Sequence, residues 1–600
     1  MKKLFFILIL LMPFLLMSQT ASVVFSHHGG FYTNSFNLTL SCDGGYHIRY
    51  TTNGDTPTAS SPLYTTPLPL NESLYSRSNI YTIINCDTLA FHAVNDVERV
   101  IVIRAAAFND ADSCVSEVMT NTYMIKSLGC NSHGLPVLSI ATDSLSLFDY
   151  DTGIFVAGAS YDPTATVHTG NYCNHGDEWE RRINLEFYEL NNKGINQECG
   201  LRTHGNASRW FQQKGMKLFA REEYGKKRFK HHFFDGSNVS NVKHLTLRPF
   251  RCSNWLQTGG QDYLSNRIAT NLDIDAMAVR QVVVYINGEY WGIYTLEESP
   301  DERYFEDHYH ADIEKVNVMK YWSGVNDHGD PSDWRAFFRW IKDADLTQEE
   351  DSLIAFQRMD VSNVIDYMLF QIYSANLDWP QNNVRIWQPE TGARFRLVFY
   401  DGDGCLTRWY FHALENATNH EGSSTVLNHF LENDYFRKMF YNRYMELKQT
   451  HLNYNELRSY VDYLKDNVID EVPKQSQRFG FPQSLARFER DMDTNYVFIA
   501  RRAEMFEQEL QEFGLVALDE ISMTYLSCYP NPSSGTFMLN IGARNDADIT
   551  VEIFNCFGQR VYASKHDLIE GDNAFSMNLN LPHGIYFIKI GNITHKIIIQ

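Results

Sequence analysis

Apolar and polar positions change rhythm twice along the 600-residue chain. From Val23 to about Lys126 they alternate in short runs broken by Gly, Asn, Asp and Pro, a pattern that predicts a small β-sandwich. Alternation continues through 183–188, 216–220, 244–248 and 282–286, the last followed by Asn287-Gly288, a two-residue hairpin signal. The period then lengthens. Trp334, Phe337, Phe338 and Ile341 recur at helical spacing, as do Val364, Ile365, Met368, Leu369 and Ile372, and helices are also predicted over 433–450 and 484–513. From about 525 alternation returns as a third small β-domain.

Candidate chemistry lies inside the central part. The run Asn376-Leu-Asp-Trp-Pro-Gln-Asn-Asn383 leads into a predicted hairpin, with strand 384–388, turn 389–392 and returning strand 395–400, ending at Tyr400-Asp-Gly-Asp-Gly404. Folding about that turn sets Asn382 opposite Asp401. Directly opposed residues lie about 5 Å apart at Cβ, so an Asn amide and an Asp carboxylate there can hold Mg²⁺ or Mn²⁺, with Asp378 at the mouth of the same site. This is the logic of a phosphotransfer centre, in which one Asp orients the attacking hydroxyl while an Asn and a second Asp hold the metal on the phosphates. The same residue types also build ordinary turns, so other parts of the chain must decide.

The formal net charge of −21, with no Lys/Arg-rich run, argues against a nucleic-acid partner. Ten cysteines are compatible with an oxidising compartment but show no CxxC or His/Cys spacing of a zinc site. Lys2 and Lys3, the apolar run 4–17 and a small polar exit read as a secretory signal peptide over 1–19. No later stretch approaches the roughly 20 apolar residues a membrane span needs, so the mature chain is expected to be exported without one.

Three resemblances sharpen the picture. Gly29-Gly-Phe31, Phe36-Asn-Leu-Thr-Leu40, Ile48-Arg-Tyr-Thr-Thr-Asn-Gly-Asp-Thr-Pro-Thr58 and Ile103-Arg-Ala-Ala-Ala107 resemble the Ig-like module at the C-terminus of chitobiases and hexosaminidases. This implies an accessory domain over 20–126, with its own core, serving as a spacer or a weak glycan contact. Tyr529-Pro-Asn-Pro-Ser-Ser-Gly-Thr-Phe537, Val551 to Val561 and the closing Lys596-Ile-Ile-Ile-Gln600 resemble the C-terminal sorting domain of type IX secretion, here 525–600. It implies the secretion machinery as a partner, a diderm bacterium, and a secreted or cell-surface protein.

Between them, Gly205-Asn-Ala-Ser-Arg209, Gln213-Lys-Gly-Met-Lys-Leu-Phe219, Leu245-Thr-Leu-Arg248, Val284 through Glu298, Asn376-Leu-Asp378, Asn382-Asn383 and Phe399-Tyr-Asp-Gly-Asp403 resemble the landmarks of the spore-coat protein H (CotH) kinase family. That family is an atypical, secreted, protein-kinase-like group using ATP and a divalent metal. The resemblance implies an α+β fold, a two-lobed kinase-like domain over 130–515 flanked by two small β-sandwich domains. It implies Asp378 as the catalytic Asp, Asn383 with Asn382 as the alternative for the metal-binding Asn, and Asp401 as the metal Asp, with Asp403 as the other candidate ligand. It also nominates Lys214 or Lys217 for the ATP phosphates, Lys214 slightly preferred, with Glu298 as the partner carboxylate and Arg209 as a further phosphate ligand. Gly402 stands where a typical kinase has an aromatic residue, and there is no Gly-x-Gly-x-x-Gly or His-Arg-Asp.

The expected function is transfer of the ATP γ-phosphoryl group to hydroxyls of surface or secreted proteins. The alternative is a non-catalytic surface binding protein that keeps the kinase frame as a scaffold. A glycan hydrolase is disfavoured, because no convincing carboxylate pair lies outside the metal-loop candidates.

Overall fold

The computed structural model describes residues 21–75, 78–86, 90–128, 134–251, 256–515, 523–543, 546–591 and 593–600. The predicted signal segment lies outside them. Two compact units result, Met1–Glu509 and Leu510–Gln600.

The centre of the first unit is a closed seven-stranded barrel. Its strands are β1 (Val137–Ala141), β2 (Arg181–Tyr188), β3 (Gly194–His204), β4 (Gly215–Phe219), β5 (His244–Pro249), β6 (Val279–Ile286) and β7 (Glu289–Glu298). They pair in the order β2-β3-β4-β5-β7-β6-β1, and β1 closes the ring against β2. All pairings are antiparallel except β1 with β6, which runs parallel with Val137 beside Val283. Asn287 and Gly288 both take positive φ, 50° and 80°, the mirror-image turn that two-residue hairpins favour. Leu201, Met216, Leu218, Leu245, Leu247, Tyr294 and Leu296 fill the interior. Because side chains alternate along a strand, the residues between them face outward.

The second half of the unit is helical, as its longer period predicts: Ser332–Trp340, Val361–Tyr373, Asp434–Gln449 and Leu485–Glu512 are α-helices. A five-stranded sheet sits among them, containing β8 (Arg385–Gln388) and β9 (Arg396–Phe399). The helix Val361–Tyr373 starts at an Asp360 cap and is buried from Asn363 to Tyr373. The side chain of Asn363 bonds both backbone groups of Leu397, at 2.7 and 3.1 Å, fixing β9 on the helix.

In front of the barrel, the described residues between 23 and 125 include a four-stranded sheet and two strand pairs around a core of their own that includes Leu38, Ile101, Ile103 and Tyr123. The segment is nonetheless bonded into the barrel. Ile80 belongs to the barrel core. The buried Glu289 carboxylate accepts from the amides of Ile80 and Tyr81 at 3.0 and 2.9 Å, and buried Glu186 accepts from Thr122 and Tyr188. Glu98 accepts from the Tyr285 hydroxyl at 2.5 Å and pairs with Lys474 at 3.1 Å.

The second unit consists of a three-stranded and a four-stranded sheet sharing one apolar core. No helix among the described residues is long and apolar enough to cross a membrane.

Candidate active site

The β8–β9 ladder pairs Arg385 with Val398 and Trp387 with Arg396, a register that continues to Asn382 opposite Asp401. The ladder stops short of that pair because Asn383 and Asp401 both adopt left-handed backbone, φ 57° and 58°. That conformation is one Asn and Asp tolerate better than most residues. The two loops turn away from the sheet and toward each other. Asp378 Oδ1 accepts from the Asn382 amide and Oδ2 from the Asn383 amide, each at 3.0 Å, and Asn383 also donates to the Asp401 carbonyl at 3.2 Å. Leu377 N to Gly404 O at 3.3 Å and Leu406 N to Ser374 O at 2.8 Å complete the tie.

Asp378, Asp401 and Asp403 line a cavity of ≈ 170 Å³ whose other wall is the 204–208 turn between β3 and β4, with Gly215, Leu247, Arg248 and Pro249. The turn is tight. Gly205 has φ 92°, and a Cβ there would come within 2.0 Å of Ser208 Oγ. A larger cavity of ≈ 1120 Å³, against Arg267, Glu298 and His308, contains none of these carboxylates.

Residues 201–506, half of the chain, match the family described as CotH kinase protein. The chain belongs to the CotH kinase family. Residues 27–82 match the chitobiase/beta-hexosaminidase C-terminal domain and 527–600 the secretion system C-terminal sorting domain. No curated protein matches the chain. Among solved structures, the Helicobacter pylori proinflammatory kinase CtkA is similar at 9% identity and a TM-score of 0.20, over 48% of this chain and 95% of that one. That likeness is too slight to carry an argument.

Within this CotH domain the remaining candidates separate by strand phase. Lys217 on β4 stands opposite Arg202 and Thr246, and Thr246 stands opposite Glu297, so the four form an outward row across β3, β4, β5 and β7. Lys217 Nζ pairs with Asp301 at 2.6 Å. Burial works against ionisation of Asp301, yet Lys217 and His244 hold its carboxyl far below the usual range.

Lys214 shares the phase of Met216 and Leu218 and is fully buried. Its Nζ donates to the carbonyls of Asn85, Arg209 and Phe211 at 2.6, 2.9 and 3.1 Å and lies 4.2 Å from the Tyr172 ring centre. The preference for Lys214 over Lys217 as a phosphate ligand therefore has no support in the geometry: every proton of the ammonium is taken by a carbonyl.

Glu298 likewise shares the phase of Tyr294 and Leu296. It sits at the barrel rim, accepting from Ala278 N at 3.0 Å and pairing with His308 at 2.7 Å, and the structure does not bring it to Lys214. Arg209 points to the 173–175 backbone, at 3.2 Å from Cys173 O, and to His175.

Three residues that the sequence reading left without a role complete the cluster. Arg248 Nη2 lies 2.5 Å from Asp401 Oδ1 and 3.9 Å from Asp403, while its Nε lies 3.4 Å from Asp262. Asp262, in the helix Gln261–Ala269, accepts from Gly402 N at 2.7 Å. A Cβ on Gly402 would meet Ser265 Oγ at 1.9 Å, so this approach of loop to helix leaves no room for an aromatic side chain. Glu297 is buried, and burial, then the charge of Asp262, push its carboxyl well above the usual range. Arg248 and Glu297 were signalled by the alternation that buries Leu245, Leu247 and Leu296; Asp262 had no signal of its own.

Among the described residues no three His, Cys, Asp or Glu side chains converge as a metal site. The donor chemistry still suits a hard cation. Burial and then Asp401 push the Asp403 carboxyl well above its usual range, and Asp262, buried beside it, has only the Arg248 Nε at 3.4 Å to offset the charge on its Oδ2. Surplus negative charge held in one place by oxygen ligands fits Mg²⁺ or Mn²⁺.

Proposed function

We propose that this CotH domain is an exported protein kinase that transfers the γ-phosphoryl group of ATP to hydroxyls of surface or secreted proteins. In this reading the barrel and the helical half are the two lobes, and the cavity under the 204–208 turn receives the phosphates. The observation that carries it is the convergence of Asp378, Asp401 and Asp403 on that one cavity, opposite a glycine-bearing turn. Asp378, held by two amides, orients the acceptor hydroxyl and takes its proton. Lys217 and Arg248 are the cations for the phosphates; each is paired with a carboxylate that the phosphates would replace. Asp401, Asp403 and the Asn383 amide oxygen would hold the divalent cation. When bound, that ion neutralises charge on the phosphates.

Export follows from the sorting domain together with the expected signal peptide. The front module supplies no catalytic group; weak glycan contact is its further role in this reading.

The second reading, a scaffold without turnover, draws on the same Arg248–Asp401 and Lys217–Asp301 pairs, which satisfy the cleft without nucleotide. Incubating the full chain with γ-labelled ATP and Mn²⁺ separates them. Label on protein supports the kinase; nucleotide binding without transfer supports the scaffold.

A further inference from the structure

The turn over the carboxylates is fastened from outside the barrel. It runs from Gly205 to Gln213 and re-enters the sheet at Lys214, immediately before β4. At that point it meets residues 78–86 and 90–100, which largely follow the 27–82 module. Beyond the Lys214 contact with Asn85 O, Asn85 Nδ2 donates to Gln212 O at 2.9 Å. Gln212 and His92 bond each other twice: His92 N to Gln212 Oε1 at 2.9 Å and Gln212 Nε2 to His92 O at 3.1 Å. The segment itself is anchored on both sides. Ile80 and Tyr81 are held by Glu289, and Val100 N donates to Gly288 O while Tyr290 N donates to Glu98 O, both at 2.9 Å. Asn85, Gln212 and Lys214 are all buried, where an unmade hydrogen bond is expensive and a made one is rigid.

We infer that Lys214 is a positioning residue: it gathers the end of the cover turn and the stretch that carries Asn85 around one ammonium, and so fixes the turn above the cavity. Three carbonyls from two separate stretches of chain point at a single Nζ, a geometry that holds those stretches in place and leaves nothing for a ligand. Gln212, with its reciprocal bonds to His92, is the second tie of the same fastening. The segment in front of the family match thereby becomes part of the catalytic unit. Its effect on turnover rests on the kinase reading; its effect on the turn does not.

The test uses the full chain and the variants Lys214→Met and Gln212→Ala. Amide hydrogen exchange over 205–213 is expected to quicken at least about 10-fold in each, with exchange in β6 and β7 unchanged. The KM for Mn²⁺–ATP is expected to rise by about the same factor with kcat within three-fold, because a misplaced turn weakens placement of the phosphates and leaves Asp378 intact. Unchanged exchange over 205–213, or exchange quickened equally throughout the barrel, overturns the inference. So does quickened exchange with unaltered KM. If Lys214→Met does not fold, Gln212→Ala decides alone. Absence of transfer in the unsubstituted protein removes the kinase reading and leaves the exchange result to judge the fastening.

Discussion

Arg248 and Asp401 form an ion pair at 2.5 Å across the cavity, and the same guanidinium faces Asp262 at 3.4 Å and Asp403 at 3.9 Å. One cation thus holds three carboxylates together. Arg248→Met leaves them uncompensated, and the expected loss is about 2–3 kcal/mol, below the roughly 3–5 of a fully buried pair because the site is partly open. Thermal unfolding with and without Mn²⁺ checks this. Melting should fall without the metal and recover in part with it, and an unmoved Tm would mean the pair is incidental.

Asp401 and Asp403, two residues apart, should respond oppositely to the same change. The raised Asp403 carboxyl binds its proton more tightly folded than unfolded. Its contribution to stability is present below the ordinary carboxylate range and lost as pH rises through the folded value. At pH 7 without metal, Asp403→Asn should therefore leave Tm unchanged or higher. Asp401→Asn removes the nearest of Arg248's three carboxylates and should cost about 1–3 kcal/mol. Calorimetry on both variants settles the ordering; equal losses would contradict it.

Roles in transfer can be divided in a similar way. Asp401→Ala should abolish metal-dependent nucleotide binding. Asp378→Ala should spare binding and lower transfer by about 10²–10⁴-fold. Titration with an ATP analogue and Mn²⁺, beside the labelled-ATP assay, distinguishes the two. If neither affinity nor turnover changes in either variant, these residues are only a turn.

Burial pushes the Glu186 carboxyl up to about 7, against hydrogen bonds from Thr122 and Tyr188. Raised above its unfolded value, it contributes stability at acid pH that fades as pH climbs past 7. Glu186→Gln should thus be more stable than the natural protein at pH 8, by about 1–3 kcal/mol, and no more stable at pH 5. A gain that is flat across this range would assign the effect to packing.

Removal of residues 20–126 should lower the melting temperature of the rest, since Glu186 and Glu289 lose backbone and hydroxyl donors and the barrel core loses Ile80. An accessory domain with a core of its own would detach with little effect on the rest; the bonds to Thr122, Ile80 and Tyr81 argue otherwise. Differential scanning of the truncated protein is the measurement. An unshifted transition would restore the independent module.

The β8–β9 hairpin and its register were legible because alternation and turn chemistry agree locally: the predicted strand 384–388 begins one residue early, and 395–400 overruns the strand formed by one residue at both ends. The helices over 434–449 and 485–512 follow from the 3.6-residue period in the same way. The opposite phases of Lys214 and Lys217, and of Glu297 and Glu298, were also readable in the sequence. Met216 and Leu218, Tyr294 and Leu296 mark the inward phase, and Lys217 and Glu297 are out of it. Asp262 was not legible. It reaches the site only because the helix Gln261–Ala269 is laid against Gly402, a contact spanning about 140 residues. The barrel was hidden for a related reason, since its closing pair is parallel and no local turn announces it.

That closing pair also sets an order in time. Val137 meets Val283 only after roughly 150 further residues have been made, and until then β1 and the growing sheet present unpaired backbone edges. The cover turn and Lys217 are synthesised well before the ring can shut, and the carboxylates well after it. The cavity is therefore complete only once the ring has shut and the later carboxylate loop has been laid against it, and an unclosed sheet keeps edges open to mispairing until then.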